Sequence, residues 1–157
     1  MLVGLAHAAV CVPDLDAAAD WYTAVLGLTL LSPPYRMEGE AITRDMGELL
    51  PSRPVVVRAA ILGLASGDHV LELIEYPSER SDVGNPSPAY RPGITHLGLV
   101  CDDIEATRRD LEAGGAEFLT EGFAAVARLR TTWFRDPWGV TFILMEKTDP
   151  AKPYWRQ

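Results

Sequence analysis

Gly93-Ile94-Thr95-His96-Leu97-Gly98-Leu99-Val100 decides how this chain folds, because Gly4-Leu5-Ala6-His7-Ala8-Ala9-Val10-Cys11 has already laid out the same pattern. In both copies a glycine stands three residues before a histidine, and aliphatic residues follow. An acidic, helix-starting segment comes next each time: Asp14-Leu15-Asp16-Ala17 in the first copy, Asp103-Ile104-Glu105-Ala106 in the second. Self-similarity at such a spacing implies two similar structural units. A histidine at the same point of each suggests one site to which both contribute.

Working outward, residues 5–12 have the small and branched apolar composition of a short strand. Alternation puts Leu5, His7, Ala9 and Cys11 on one face, with Ala8, Val10 and Val12 on the other. Pro13-Asp14 ends that strand, and Asp14 or Asp16 can accept the free N–H groups of a new helix. Leu15, Ala18, Ala19, Tyr22 and Leu26 then make an apolar stripe at helical spacing, with Gly27 as the stop. Leu28 to Leu31 reads as a second short strand. Ser32 to Pro54 is broken by four prolines and two glycines and reads as a long functional loop or lid. Val55 to Leu64 and His69 to Tyr76 are strands joined by a Ser66-Gly67-Asp68 turn.

Pro77 to Pro92, rich in proline and serine, reads as a linker. The second unit repeats the order: a strand over 94–101, and a helix over 103–113 with Ile104, Thr107 and Leu111 inward, ended by Gly114-Gly115. A short strand over 116–119 and another around 129–134 follow. Asp136-Pro137-Trp138-Gly139 has the residues of a type I turn, and it leads into a last strand over 140–147. Module one therefore spans about 4–76, the linker 77–92, module two about 93–147 and a polar tail 148–157, all within one domain of 157 residues.

With 48% apolar residues a packed core is expected. The net charge of -8 argues against nucleic acid or an anionic membrane as partner. No apolar run reaches the ~20 residues of a membrane helix, and no basic leader opens the chain, so a cytoplasmic protein is expected. Cys11 and Cys101 sit in apolar runs without CxxC spacing and read as two buried, reduced thiols.

Two βαβββ units, each opening with a histidine, resemble the vicinal oxygen chelate superfamily, which includes glyoxalase I, methylmalonyl-CoA epimerase, extradiol dioxygenases, fosfomycin resistance enzymes and bleomycin-binding proteins. Further matches are Asp20-Trp21-Tyr22 with Leu26-Gly27-Leu28, Leu71-Glu72-Leu73-Ile74-Glu75, and Asp136-Pro137-Trp138-Gly139. The resemblance covers about Leu5 to Lys147. It implies an α+β fold in which the two modules form a cupped, mainly antiparallel eight-stranded sheet with helices outside, and a homodimer that binds a small molecule. It also implies a divalent metal (Ni, Co, Zn, Fe or Mn) on His7, Glu72 and His96, with open positions for adjacent substrate oxygens. The family's fourth ligand place, usually a glutamate, falls on Ile143, because Leu71-Glu72-Leu73-Ile74-Glu75 aligns with Phe142-Ile143-Leu144-Met145-Glu146.

Three functions follow from that resemblance: a metal-dependent isomerase, lyase or epimerase; a metal-free ligand-sheltering protein; or an extradiol-type dioxygenase. Arg58 and Arg130 are candidates for gripping an anionic substrate group, against the alternative of ordinary surface charge. Trp133 and Ile143 are candidates for lining the cup, against core or interface packing for the indole. Glu75 and Glu146 are expected on outer sheet faces or at strand ends.

Overall fold

The computed structural model describes residues 1, 4–64, 69–79, 90, 92–126 and 128–153. The expected turn at Ser66-Gly67-Asp68, most of the linker and the end of the tail lie outside these residues. The chain divides into two compact units, Met1–Asp82 and Val83–Gln157.

In the first unit, β1 (Ala8–Cys11), β2 (Thr29–Glu38), β3 (Val56–Gly63) and β4 (Val70–Glu75) make a mixed sheet in the order β1-β4-β3-β2, with β1 parallel to β4 and the other pairs antiparallel. Helix α1 (Leu15–Ala24) begins at Asp14, whose carboxylate accepts the Ala17 N–H at 3.0 Å. It ends where Gly27 takes φ +69, a backbone angle that costs glycine nothing. The buried α1 stripe of Leu15, Ala18, Ala19 and Tyr22 packs on β2, β3 and β4. Burial along β1 and its flank alternates as expected: Val10 and Val12 are buried, Ala9 and Cys11 exposed.

The stretch expected as a loop over 32–54 is instead ordered. β2 runs on to Glu38, and a third helix, α2 (Glu40–Met46), follows. Pro33 and Pro34 argue against a strand, but β2 is an edge strand and both fall inside an irregular part of its pairing, where no ladder N–H is needed. Ile42 and Met46 of α2 pack with Met37, Leu50 and Tyr76 against Val55, Val57 and Ile74.

The second unit repeats the plan. β5 (Leu97–Cys101), β6 (Glu117–Phe118), β8 (Leu129–Arg135) and β9 (Thr141–Lys147) are ordered β5-β9-β8-β6, with β5 parallel to β9, and a strand not expected from the sequence, β7 (Ala124–Val126), also pairs with β8. Helix α3 (Ile104–Ala113) starts on Asp103, which accepts from both Glu105 and Ala106, and it buries Ile104 and Leu111. At Asp136-Pro137-Trp138-Gly139 the Gly139 N–H donates to the Asp136 carbonyl, and the Asp136 carboxylate takes the N–H groups of Trp138 and Val140. Phe134 and Phe142 stack at 5.0 Å in this unit's core.

The α+β class and the two βαβββ-like modules stand as read, each with its own mixed sheet. The eight expected strands become nine among the described residues, and two helices become three. Cys11 is exposed and Cys101 half-buried, correcting the expectation of two buried thiols. No described helix is long and apolar enough to cross a membrane.

Candidate functional site

Strand pairing fixes which side chains share a face. In the first unit Ala9 pairs with Glu72, and Glu72 with Ile61. His7, just before the ladder and two residues from Ala9, joins Glu72 on that face. Its Nε2 lies 3.3 Å from Glu72 Oε2, with the imidazole 45% exposed and the carboxylate 15%. A good N–H···O bond is nearer ~2.9 Å, so the pair is only loosely joined by itself. Two donors each about 2.1 Å from a common ion stand about 3.4 Å apart at a tetrahedral angle. A nitrogen and an oxygen at the observed separation therefore suit a shared divalent cation, and borderline metals take both donor types.

The same face carries a residue the sequence reading missed. The Tyr35 phenol is near enough to feel the Glu72 carboxylate: its pKa is raised, first by partial burial and then by the charge of Glu72 and its capacity to accept from the hydroxyl. Tyr76, farther along, is pushed up by burial, then by Cys11 and Glu72. Partial burial likewise raises the Cys11 thiol, with Glu75 adding to it. A signal for Tyr35 exists in the sequence: it is the first large side chain after the Pro33-Pro34 pair.

In the second unit Gly98 pairs with Ile143, and Ile143 with Trp133. Gly98 is the counterpart of Ala9, so Ile143 occupies the station of Glu72 and Trp133 that of Ile61. The alignment that put an aliphatic residue in the carboxylate's place is thereby reproduced by hydrogen-bonded register. His96 precedes this ladder as His7 precedes the first. Its ring meets Trp133 edge-on at 4.8 Å, and its Nδ1 is 2.7 Å from Thr95 Oγ1. If Nδ1 carries the proton it donates to Thr95, and Nε2 is left with the lone pair. Ile143, Trp133 and Met145 give this face an apolar character, and a Cβ on Gly98 would meet Met145 Cε at 3.0 Å.

The structure thus brings His7 and Glu72 together in one unit, and His96, Trp133 and Ile143 together in the other. Among the described residues, no group of three or more His, Cys, Asp or Glu side chains is positioned to hold a metal ion.

Arg58 and Arg130 lie elsewhere. Arg58 pairs with Glu75 across β3 and β4, on the α1 side of the sheet. Its Nη1 donates to Glu75 Oε2 at 2.8 Å and its Nη2 to both Asp16 oxygens at 2.9 Å, while Glu75 also takes the Leu15 N–H. Arg130 repeats this with Glu146 at 2.9 Å and Glu105 at 2.7 Å. Each arginine ties the start of a helix to its sheet. Each guanidinium is thereby engaged by two carboxylates, where the sequence offers an anion grip or ordinary surface charge, and Glu75, the last residue of β4, and Glu146, the last but one of β9, lie at strand ends, one of the places expected for them.

Residues 4–144 match the sequence profile of the Glyoxalase/Bleomycin resistance protein/Dioxygenase superfamily. A 2-epi-5-epi-valiolone epimerase from Actinomyces sp is 31% identical over 153 residues, covering 91% of this chain and 79% of that protein. Among solved structures, a glyoxalase family protein from Bacillus cereus superposes with a TM-score of 0.81 at 21% identity, over 95% of this chain and 97% of that one. Glyoxalase I from Zea mays gives 0.62 at 21% identity, over 94% of this chain and 46% of that one. At such identities the structural likeness speaks to the fold alone.

Proposed function

This chain belongs to the Glyoxalase/Bleomycin resistance protein/Dioxygenase superfamily, and from that premise we propose that it is a metal-dependent epimerase or isomerase of a small oxygenated metabolite, with His7, Glu72 and His96 as ligands of a divalent cation. The observation that carries this reading is the convergence of His7 Nε2 and Glu72 Oε2 at 3.3 Å, in a chain 31% identical to an epimerase. We assign the third donor to His96 because it stands at the matching register of the second unit.

The substrate class we assign is a hydroxy ketone. Inverting a stereocentre beside a carbonyl begins with loss of the proton on that carbon, the electron pair moving into the carbonyl oxygen. It ends with a proton delivered to the opposite face. A bound divalent cation supplies positive charge against the oxygen that becomes negative. The chain's own part is to present two imidazole nitrogens and one carboxylate oxygen. Thr95 Oγ1, 2.7 Å from His96 Nδ1, holds the orientation of that ring. Trp133 and Ile143 offer an apolar wall beside His96, suited to the C–H face of a small organic molecule.

One observation favours a second reading, a metal-free protein that shelters an organic ligand: the second unit has Ile143 where the first has Glu72. A single experiment separates the two. The protein, purified without added metal, is analysed for Ni, Co, Zn, Fe and Mn, then incubated with 2-epi-5-epi-valiolone in D2O. The epimerase reading expects about one equivalent of metal and one deuterium at the inverted carbon, with both lost in a His7→Ala, His96→Ala double variant. Protein that refuses all five metals and yields no exchange, while a ligand quenches its tryptophan fluorescence, transfers the conclusion to the second reading.

A further inference from the structure

The pairing of β2 with β3 is interrupted twice, between Leu30 and Ser32 and between Ser32 and Tyr35. Each interruption inserts one residue into β2 against β3. One insertion would turn every later side chain to the other face of the sheet, whereas two restore the alternation. Tyr35 therefore points to the same face as in an uninterrupted strand, but it sits opposite Ala59 rather than Val57. That is a displacement of two residues, roughly 7 Å, along the strand. The displacement is toward Ile61, which pairs with Glu72.

Ala59 lies between Tyr35 on one side and Ile74 on the other, and it is fully buried. Its methyl is small enough for a phenol ring to pass above it. A leucine there would stand in the path from β2 to β4. Glu72 projects from β4 one pleat farther along on the same face, opposite Ile61, and its charge acts on the Tyr35 phenol.

We propose that Tyr35 is a positioning residue for Glu72: the doubled interruption in β2 sets the phenol level with the carboxylate, Ala59 lets it cross β3, and its O–H donates to Glu72 and holds that side chain toward His7. An ionised carboxylate has about four acceptor sites, so the bond leaves lone pairs free on the side facing His7. A carboxylate already held in one rotamer loses less freedom when it binds a cation. Partners of this kind are typically worth ten- to a hundredfold in metal affinity. The expected loss of metal affinity rests on the proposed reading of Glu72 as a ligand; the proposed hydrogen bond does not.

The test compares wild type, Tyr35→Phe and Tyr90→Phe, the last altering a tyrosine that is 90% exposed. The Glu72 carboxyl carbon is followed by NMR in metal-free, glutamate-labelled protein, assigned by its loss in Glu72→Gln, and Co(II) affinity is measured by calorimetry. Tyr35→Phe is expected to move the Glu72 resonance with urea stability nearly unchanged, since the ring is kept, and to weaken cobalt binding about tenfold or more. Tyr90→Phe does neither. An unmoved Glu72 resonance, or a moved one with wild-type cobalt affinity, overturns the proposal. If wild type itself takes up no cobalt, the reading of Glu72 as a ligand falls and the resonance alone decides the role of Tyr35.

Discussion

Replacing Arg58 by methionine tests whether the first unit's arginine is a brace or a substrate grip. Methionine keeps an unbranched apolar stem, so the change removes charge and hydrogen bonds more than packing. Two attachments are lost. The bond to Glu75 is 2.8 Å long and joins a guanidinium 28% exposed to a carboxylate 15% exposed. Hydrogen bonds to charged groups at such sites contribute about 1.5–3 kcal/mol. The pair with Asp16 is bidentate at 2.9 Å, but that carboxylate is 63% exposed, so screening leaves about 0.5 kcal/mol. The variant also strands Glu75 with only the Leu15 N–H for company. A loss of about 2 kcal/mol in unfolding free energy follows, most of it from Glu75.

Urea titration followed by far-ultraviolet circular dichroism measures that loss, and a double-mutant cycle with Glu75→Gln isolates the pair. The coupling should be about 1–2 kcal/mol and should largely survive 1 M salt, because a half-buried pair is screened little. The Asp16 contribution should vanish under the same conditions. Arg130→Met should follow the same pattern with a smaller effect, because that guanidinium and Glu146 are more exposed than Arg58 and Glu75. A loss below about 0.5 kcal/mol for Arg58→Met, accompanied by impaired ligand binding, would refute the bracing argument and return Arg58 to the substrate.

Installing the missing carboxylate as Ile143→Glu should raise Ni(II) or Co(II) affinity at least tenfold, since register places it where Glu72 stands in the other unit. It should also cost about 1–2 kcal/mol of stability, as a partly buried aliphatic group beside Trp133 gives way to charge; unchanged calorimetric affinity counts against a metal at this site. Asp103 is held below its ordinary 3.8 by the Ala106 N–H first and the Glu105 N–H as well. A folded-state pKa below the unfolded one gives stability that is fully present above the unfolded value and lost as pH falls through the folded one. The stability gap between wild type and Asp103→Asn should therefore be constant near neutrality and shrink in acid below 3.8; urea titrations in which the gap persists to pH 2 would show that the cap carries no such linkage.

Much of the fold could be read from local chemistry because the deciding residues act on their neighbours. Asp14 and Asp103 cap helices within three residues of themselves, and Asp136 closes its turn by bonds to Gly139, Trp138 and Val140. β2, α2 and β7 escaped because their order comes from partners distant in sequence. Pro33 and Pro34 argue against a strand unless that strand lies at a sheet edge, and an edge is a property of the whole sheet. Ile42 and Met46 form a helical face only when Val57 and Ile74 are there to receive it. The ion pairs of Arg58 and Arg130 escape a sequence reading for a related reason. Alternation tells which residues share a face, but it does not tell which face a helix covers, and that second fact turns a candidate grip into a brace.

The repeat was the most informative feature of the sequence, and its exceptions carry the functional argument. Both units keep the parts a scaffold needs: a capped helix, an arginine between two carboxylates and a histidine one step before the first strand. They differ where no scaffold demands a particular residue. Glu72 becomes Ile143, Ile61 becomes Trp133, and Ala6 becomes Thr95, which bonds the second histidine. Each of these changes lies within two ladder positions of a histidine. Divergence at that neighbourhood, on a frame whose capped helices, arginine ties and parallel first strands recur, is what division of labour between two copies would produce. One copy presents an imidazole beside a carboxylate, with Tyr35 on the same face, and the other presents a histidine against an aromatic wall. Exchanging Glu72 and Ile143 between the units should therefore spare folding far better than it spares ligand binding, because the frame is common to both and the chemistry is not.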